Sequence, residues 1–472
     1  MFVYNDVRTD ARVLREAGSL VAAGHEVTIL GRPTKSSTPT GDHERIDGFE
    51  VVRLPVPERA RTRAAWLRSP WSLRRAWVAE VRAALGRLPR SAPGLVGLLL
   101  AGIAALPWVA VRWTVNRVTA DHGTLRSHVD WLIWWRTGIL GWAKAAAAAA
   151  PPADVYHGHD LSGLEAAGRA RQRHGGRLVY DSHEIFVESG SMATRPRWIK
   201  AILGRSERRW MGMADALVTV NHALAEELAR RLQPKRTVVV HNAPEAWQPP
   251  AIRPDLIRAA TGIPAADPIA LYHGGFSANR GLKELAAALL EPGLDRVHAV
   301  YLGYGSQRRM LDELAADPRF GGRLHVLDAV PPAELGPWVA SADVGVMAIQ
   351  PSTLNHRLST PNKLFESLAA GLPVVASDFP EMRKIVIDDP LGPLGAVCRP
   401  DDPADIAGAI RSILDRPLAE RGALRARCLA AAHARWNWQA EVHGLLRLYD
   451  DLAVLPAGPS RAPGTARAGS AR

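Results

Sequence analysis

The sequence predicts an α/β protein with two domains, each built on a doubly wound parallel sheet. Its 472 residues exceed what one ordinary hydrophobic core organises, so two large domains are expected. Two stretches of the chain alternate short β-branched runs with helix-length segments, which is the pattern of parallel crossover units. A proline-rich break at 246–255, AWQPPAIRPD, separates the stretches and predicts a linker.

The first stretch begins with an apolar run, MFVYN, that predicts a strand, followed by an amphipathic helix and the strand VTILGR. Residues 58–146 interrupt the alternation. It then resumes, with strands predicted at 154–160, 176–184, 216–221 and 237–244.

The second stretch predicts strands at 268–275, 296–305, 323–330, 342–349 and 372–378, with helices between them and a helical end after Asp401. We therefore divide the chain into domains as follows: a first domain at 1–245 with a helical insertion at 58–146, a linker at 246–265, a second domain at 266–430, a helix at 431–452 that packs back toward the first domain, and a disordered tail at 453–472.

The low cysteine content limits the classes of fold and of metal site that the chain can form. Only Cys398 and Cys428 are present, too few for a disulfide framework or a four-cysteine zinc site, and this fits a reducing cytoplasm. The N-terminus reaches Asp6 without a long apolar run, so no signal peptide is expected.

Most of the net charge of +12 lies in the insertion. Between Glu58 and Ala146 there are fourteen Arg or Lys and four Asp or Glu, together with nine of the fifteen tryptophans. Within it, 94–111 carries no charge, but eighteen residues interrupted by Pro107 are a borderline membrane span. The alternatives are a helical hairpin packed on the first domain, or an interfacial element with Trp at headgroup depth and Arg on lipid phosphates.

We favour the interfacial interpretation, because the charge and the tryptophans coincide. It predicts a cytoplasmic protein that associates peripherally with the anionic inner face of the cytoplasmic membrane. No nucleic-acid-binding module is visible, so a nucleic-acid partner is not expected.

Polar residues that follow predicted strands mark a candidate site, because parallel sheets bind ligands at the carboxyl ends of their strands. The loop 274–281, GGFSANRG, precedes a helix and includes Gly275 and Arg280, and the turn with Gly303 and Gly305 ends the next strand. Such amides and an arginine suit a phosphate. Either glycine turn alone is weak evidence, since glycines after strands are often simple turns.

A second candidate segment is HRLSTPNK at 356–363, which leads into a helix whose first amides can meet an anion. Glu366 lies one turn inside that helix and could accept hydrogen bonds from sugar hydroxyls, or it could simply favour the helix dipole. In the first domain, His157 and His159 follow one strand and His183 and Glu184 the next; each histidine could be a base, a metal ligand or a solvated residue. With no H-E-x-x-H pair and no D-x-D triplet, no metal is expected.

These residues together resemble glycosyltransferase family 4, retaining enzymes of the GT-B fold in which two Rossmann-like domains face each other across a cleft. The resemblance runs from Asn5 to about Tyr449, apart from 58–146. It is most specific in the second domain, where the Arg280 loop, the G-x-G turn, ADVGVMAI, PNKLFESLAAGLPVVASD and PEMRKIV occur in the family's order. In the first domain, the HGHD and DSHEIF segments are similar to members that build bacterial surface polysaccharides.

The resemblance implies a role for each candidate residue. Arg280 would hold the donor diphosphate, Glu366 the ribose hydroxyls, and His183 would lie near the reacting sugar, so that His183 and Arg280 are the catalytic candidates. The remaining donor-side candidates are Gly275, Gly303, Gly305, Thr360, Pro361, Asn362 and Lys363, and the acceptor-side candidates are Asp10, His159, Asp160 and Glu184.

Two positions depart from the family's pattern. Gly275 stands where the family usually has an arginine, which removes one diphosphate contact. Leu358 replaces the first glutamate of the family's pair, which normally touches the donor sugar.

The resemblance implies transfer of a sugar from a nucleotide-diphosphate sugar to a glycan or polyprenyl-linked acceptor, without a cofactor or a metal. Two alternatives remain at this point. One is a sugar-nucleotide epimerase on the same architecture, and the other is an inactive relative that only binds the nucleotide sugar.

Overall fold

The computed structural model describes residues 1–8, 10–33, 43–57 and 123–454. The described residues fold into two compact units, the first formed by those within 1–21 and 25–178, and the second by 22–24 and 179–454. The predicted domain boundaries at 245 and 266 stay predictions. Most of the insertion, including 94–111, and the tail beyond 454 lie outside the described residues.

In its described part, the first unit contains a three-stranded mixed sheet, one further strand and four α-helices. Its strands are β1 (Thr28–Gly31), β2 (His43–Ile46), β3 (Phe49–Arg53) and β4 (Val155–His159). Its helices are α1 (Ala11–Ala22), α2 (Gly123–Trp134), α3 (Leu140–Ala149) and α4 (Asp160–His174), with a π-helical turn at Trp135–Ile139 between α2 and α3. β1 pairs with β3 in parallel, and β2 pairs with β3 antiparallel.

Two predictions for the first unit need correction. The run MFVYN does not form a strand; Phe2 alone bridges Leu30 and Gly158. The chain turns directly afterwards, because the Asn5 side-chain oxygen accepts a hydrogen bond from the Val7 amide at 2.8 Å. The β2–β3 hairpin was not predicted, although its Asp47-Gly48 turn is a strong hairpin signal.

The described end of the tryptophan-rich insertion belongs to the core of the first unit. Trp135 and Trp142 are buried, and the Trp142 indole donates a hydrogen bond to the Gly31 carbonyl at 3.2 Å. These two side chains therefore act as core residues rather than membrane anchors. No helix within the described ranges is long and apolar enough to cross a membrane.

The second unit contains two parallel sheets. In the smaller one, β5 (Arg177–Ser182), β6 (Ala216–Thr219) and β7 (Thr237–Val239) run in that order. The larger has six strands in the order β10-β9-β8-β11-β12-β13. These are β8 (Ile269–Gly275), β9 (His298–Tyr304), β10 (Leu324–Asp328), β11 (Val344–Met347), β12 (Val374–Ser377) and β13 (Gly395–Cys398).

Helices cover these sheets, as the alternating pattern predicts. They are α5 (Arg197–Met211), α6 (His222–Leu232), α7 (Leu256–Thr261), α8 (Leu282–Ala288), α9 (Arg308–Ala315), α10 (Leu335–Ala340), α11 (Leu354–Leu358), α12 (Asn362–Ala369), α13 (Pro380–Val386), α14 (Pro403–Leu414), α15 (Leu418–Ala434) and α16 (Trp438–Val454). Three-residue 3₁₀ turns lie at 186–188, 190–192, 318–320 and 332–334.

The last helix, α16, is tied to the segment around β7. Glu441 accepts a hydrogen bond from the backbone amide of His241 at 2.9 Å and lies 3.0 Å from the His241 ring nitrogen. Trp438 donates its amide to the Pro244 carbonyl. The chain therefore returns at its end to residues that precede the predicted linker.

The order of the six strands places the loops after β8, β9 and β11 at one edge of the sheet. β8 is central and pairs with β9 along its whole length, up to Gly275 opposite Tyr304. A continuous apolar core fills the sheet–helix layers on both sides of β8. This edge is where a doubly wound sheet binds ligands.

Candidate active site

Arg280 ends the loop between β8 and α8 and is only half-buried. The loop is anchored by Phe276, which is fully buried and whose amide donates to the Tyr304 carbonyl at 2.6 Å. Gly281 then packs so tightly that a Cβ would lie 2.2 Å from the Ala348 carbonyl oxygen, so only glycine fits. Within the described ranges no carboxylate lies at salt-bridge distance from the Arg280 guanidinium.

Lys363 lies in the first turn of α12 and is directed onto the β8 side of the site. Its Nζ lies 3.4 Å from the centre of the Tyr272 ring, a cation–π contact. Burial and the positive charge of Arg280 lower the pKa of Lys363 well below its ordinary value, and Glu366 opposes this shift. Among the residues that the structure describes, Lys363 also has no salt bridge, so neither of these two neighbouring basic side chains has a carboxylate at salt-bridge distance, and Glu366 acts on Lys363 only from farther away.

The first turn of α12 offers backbone donors beside these cations. Its N-cap is Pro361, and no side chain caps the helix. The Thr360 side chain is buried and accepts a hydrogen bond from Asn221, while the Asn362 side chain accepts one from Asn242. Neighbouring asparagines thus hold the helix start, while its dipole favours an anion at that end.

Glu366 is held by a histidine that was not predicted from the sequence. His273, buried near the end of β8, places its Nε2 3.0 Å from a Glu366 carboxylate oxygen. The Glu366 side chain is 29% exposed, so it remains reachable from solvent. Its main contact is therefore with His273, which positions the carboxylate, rather than with the end of its own helix.

His356 lies close enough to Arg280 for the charge of the guanidinium to act on its ring. Its ring nitrogen lies 2.8 Å from the Ser352 hydroxyl. Burial and the charge of Arg280 lower its pKa below the ordinary value, so that neutral His356 avoids adding a third positive charge. The segment that begins at His356 was predicted to belong to the site, but no role was predicted for this residue.

His183 and Glu184 follow β5 and lie against the segment that precedes α12. The His183 ring nitrogen lies 3.4 Å from the carboxylate of buried Asp181, and 24% of the His183 side chain is exposed. Asn355 accepts the Ile185 amide at 2.8 Å and donates to the Ile185 carbonyl at 3.0 Å and to Glu184 at 3.3 Å. The structure thus brings this predicted loop together with α11.

Asn221 provides the second link between the same two segments. Its side-chain amide donates to the Leu358 carbonyl at 2.7 Å and to the Thr360 hydroxyl at 3.2 Å. Asn221 and Asn355 therefore fix the 355–360 segment on both sides. Neither asparagine was predicted, because each bond joins residues more than 130 positions apart in the chain.

The three candidates in the first unit have other surroundings. Asp10 caps α1, accepting the Val13 amide at 3.2 Å and the Asn5 side chain at 2.8 Å. His159 is fully buried and stacks on His157 with ring centroids 4.6 Å apart. Asp160 begins α4 with a positive φ of 54°. Their predicted acceptor roles stay predictions.

Glu16, His157 and His159 could in principle hold a metal ion, since their ligand atoms lie within 4.8 Å of one another. However, Arg12 lies 2.9 Å from the Glu16 carboxylate, and both side chains are at most 3% exposed. The guanidinium already neutralises the charge that a cation would require. The expectation of a metal-free enzyme stays a prediction.

The candidate glycines are of two kinds: Gly303 and Gly305 are required by close packing, whereas Gly275 borders open space. At Gly303 a Cβ would lie 2.0 Å from the Gly274 carbonyl oxygen, and at Gly305, where φ is 148°, 2.3 Å from that of Phe276. Close approach of the two loops therefore explains both residues. Gly275 is different, because a Cβ there would meet nothing within 4 Å.

Comparison with known proteins agrees with this architecture. Residues 125–244 match the model described as Glycosyltransferase Family 4, and residues 267–416 match Glycosyl transferases group 1. The D-inositol 3-phosphate glycosyltransferase of Xylanimonas cellulosilytica is 30% identical over 315 residues, which are 63% of this chain and 71% of that protein. The chain belongs to glycosyltransferase family 4.

Solved structures similar to this glycosyltransferase share its two-domain, Rossmann-like GT-B fold. The sucrose-phosphate synthase of Thermosynechococcus elongatus has a TM-score of 0.64 at 20% identity and covers 93% of this chain and 92% of its own. The trehalose-6-phosphate enzyme of E. coli, bound with UDP-2-fluoro glucose, has a TM-score of 0.63 at 15% identity, covering 97% and 99%. The family match also includes 125–146, which the sequence resemblance left out.

Proposed function

We propose that this glycosyltransferase takes its sugar from a nucleoside-diphosphate sugar and transfers it with retention of configuration. The observation that carries the proposal is the pair Arg280 and Lys363, two basic side chains at the carboxyl edge of the sheet with no carboxylate at salt-bridge distance in the described chain. Their mutual repulsion is relieved when a diphosphate lies between them.

The same pair supplies the chemistry of the leaving group. When the bond between the anomeric carbon and the diphosphate breaks, negative charge grows on the phosphate oxygens. Arg280, Lys363 and the first amides of α12 are fixed in place to stabilise that charge without a metal. The acceptor oxygen then bonds the anomeric carbon on the face that the diphosphate leaves, and its proton passes to the departing phosphate.

Glu366 would bind the ribose of the donor. Its carboxylate is oriented by His273 at 3.0 Å and keeps part of its surface exposed, as a ligand for hydroxyl groups requires. His183, held beside Asp181, would lie near the reacting sugar. Both assignments follow the family resemblance, and the contacts with His273 and Asp181 support them.

The base of the donor nucleotide is identified by experiment, and we propose uridine as the first base to test. Two structural neighbours were solved with such ligands, the trehalose-6-phosphate enzyme with UDP-2-fluoro glucose and the Anabaena protein HepE with UDP. We expect UDP, among UDP, GDP and dTDP, to raise the thermal midpoint of the purified enzyme. If none of the three stabilises a folded sample, the donor proposal fails.

For the acceptor we propose a glycan or polyprenyl-linked sugar in the synthesis of a bacterial surface polysaccharide. The support is the basic, tryptophan-rich segment before residue 123, which would bring the enzyme to an anionic membrane holding such an acceptor. Sedimentation with anionic vesicles tests this. Deleting 94–111 should abolish sedimentation of a protein that still binds its nucleotide, whereas unchanged sedimentation would contradict the membrane proposal.

A further inference from the structure

A cationic cavity lies at the opposite edge of the six-stranded sheet from the proposed donor site. It is about 200 Å³ in volume, and Arg253, Arg421 and Arg425 line it with one carboxylate, Asp343. Asp343 directly precedes β11, so the cavity lies at the amino end of that strand. The length of β11 separates it from the donor edge by on the order of 13 Å.

The single carboxylate that lines the cavity already forms salt bridges and a backbone hydrogen bond. Asp343 lies 2.9 Å from Arg253 and 3.1 Å from Arg258, and it also accepts the backbone amide of Ile269 at 2.9 Å. These contacts keep its pKa below the ordinary value despite burial. The single negative charge of Asp343 is therefore shared between two arginines, and it does not compensate Arg421 or Arg425.

Arg425 and Arg421 extend this excess of positive charge. Among the described residues, the hydrogen bonds donated by the Arg425 guanidinium go to the backbone carbonyls of Ala340 and Ala342. Its burial and the nearby Arg253 lower its pKa to about 10. Arg421 has a buried Nε that finds no hydrogen-bond partner in the described part of the chain.

We propose that this cavity binds a small anion carrying a phosphate group, at a site separate from the donor site. Guanidinium groups that are fixed, partly desolvated and short of carboxylates suit phosphate oxygens, which accept paired hydrogen bonds. The volume lies below the range of about 300–1,000 Å³ typical of larger ligands, so a phosphate with a compact substituent fits best. Apolar Leu418 at the rim, 77% exposed, is available to that substituent.

Two variants test anion binding in the cavity independently, so that the misfolding of one variant does not leave the proposal untested. Arg421→Gln removes a charge and the orphan Nε while keeping a polar side chain. Gly422→Glu puts a carboxylate into the cavity, where a Cβ meets nothing within 4 Å, and glutamate favours the helix more than glycine. Arg309→Gln, which removes a 91% exposed arginine on α9, is the matched control.

The first measurement is the thermal midpoint in inorganic phosphate against chloride at equal ionic strength. Phosphate should raise it by about 2 °C or more in the wild type, in Arg309→Gln and in Arg280→Ala, and by less than half as much in Arg421→Gln and Gly422→Glu. No shift in the wild type, or an undiminished shift in both cavity variants, would overturn the proposal. A shift lost only in Arg280→Ala would place the anion in the donor site and also overturn it.

The source of the phosphate is decided by a second arm. Phosphatidic acid in phosphatidylcholine vesicles is compared with phosphatidylcholine alone, using the wild type and Arg421→Gln. Sedimentation that depends on phosphatidic acid and on Arg421 supports a lipid headgroup as the ligand. Phosphate-induced stabilisation without such sedimentation supports a soluble phosphate ester.

Discussion

Two clusters of charged and polar side chains, one in each unit, differ in whether their charges are paired in salt bridges. In the first unit, Glu16 lies beside His157 and His159 and is neutralised by Arg12 at 2.9 Å, with every side chain nearly inaccessible. In the second unit, Arg280 and Lys363 lie close enough to perturb each other, and no carboxylate in the described ranges forms a salt bridge with either.

The difference separates a structural cluster from a binding site. A buried charge is tolerated when a partner compensates it, and the Arg12–Glu16 pair meets that condition within the fold. In the proposed function, the basic side chains of the second unit gain close anionic partners when a diphosphate binds. Each cluster includes a residue at the end of a strand or just after one, His159 in β4 and Arg280 after β8, so position along a strand does not distinguish them, whereas the charge balance does.

The largest effect is expected where the compensated cluster is broken. Arg12→Ala leaves the Glu16 carboxylate buried without its guanidinium, at a cost of about 3–5 kcal/mol. The thermal midpoint should fall far more than in Arg15→Ala on the same helix, while the affinity of the remaining folded protein for the donor nucleotide stays within about twofold. If Arg12→Ala has a normal thermal midpoint but no longer binds the nucleotide, the first-unit cluster has a binding role and the assignment of structural and binding roles is wrong.

The next largest effect is expected at the uncompensated cluster. Arg280→Ala removes the cation that, in the proposed mechanism, stabilises the leaving diphosphate, so kcat/KM should fall by about 10²–10³-fold. The midpoint should change little, because Arg280 makes no salt bridge in the described structure. Initial rates with the donor identified by the nucleotide panel provide the measurement, with Arg309→Ala as the control. Rates within twofold of wild type would remove Arg280 from the mechanism.

Glu366→Gln should weaken donor binding by about tenfold, since a hydrogen bond to a charged group contributes about 1.5–3 kcal/mol and an amide retains part of it. The dissociation constant from calorimetry is the quantity to compare. Glu313→Gln, on the exposed face of α9, is the matched control. An unchanged constant would mean that the His273–Glu366 pair only holds β8 and α12 together.

A smaller effect concerns the protons of Lys363. Its pKa in the folded protein is lowered, so the unfolded chain binds more protons between that lowered pKa and the ordinary one, and stability rises with pH across this window. A bound diphosphate raises the pKa again, so binding takes up a proton and weakens as pH rises through the window.

Calorimetry in buffers of different ionisation enthalpy measures that uptake. It should be present in the wild type and absent in Lys363→Met. Equal uptake in both proteins would show that another group takes the proton.

The smallest effect is a gain. Gly275 leaves open space where the family usually has an arginine, and no Cβ clash opposes a side chain there. Gly275→Arg should tighten binding of the diphosphate by a few-fold, about 0.5–1 kcal/mol, and Gly275→Gln serves as the uncharged control. Weaker binding in the arginine variant alone would show that this position does not face the diphosphate.

Sequence patterns predicted the larger sheet well because each of its strands is a short apolar run between helix-length segments. β13 was not predicted, because Gly395–Cys398 lies in a short apolar run bounded by Pro393 and Pro400, whereas the equally short β11 and β12 lie in longer apolar runs. The strand predicted for the N-terminal run was wrong for a different reason: the turn at Asn5 follows so closely that only Phe2 forms β-bridges. The Asp47-Gly48 hairpin carried a usable signal that was overlooked.

For the site, sequence reasoning identified residues placed by local structure and missed those placed by tertiary contacts. Arg280, Lys363 and Glu366 are recognisable because they lie at helix starts that follow strands. His273 acts on a residue 93 positions away, and Asn355 on Ile185, 170 positions away. Periodicity cannot indicate such pairs. A polar histidine inside the apolar run of β8 was nevertheless a signal that could have been followed.

The most direct test of the central claim is whether the diphosphate is what the uncompensated cations bind. UDP, GDP and dTDP are each titrated by calorimetry against the matching nucleoside, with the wild type and with Arg280→Ala/Lys363→Met. We predict that in the wild type one nucleotide binds at least about 100-fold more tightly than its nucleoside, and that this ratio collapses to below about tenfold in the double variant. An unchanged ratio in the double variant would show that the diphosphate is held elsewhere and would contradict the account.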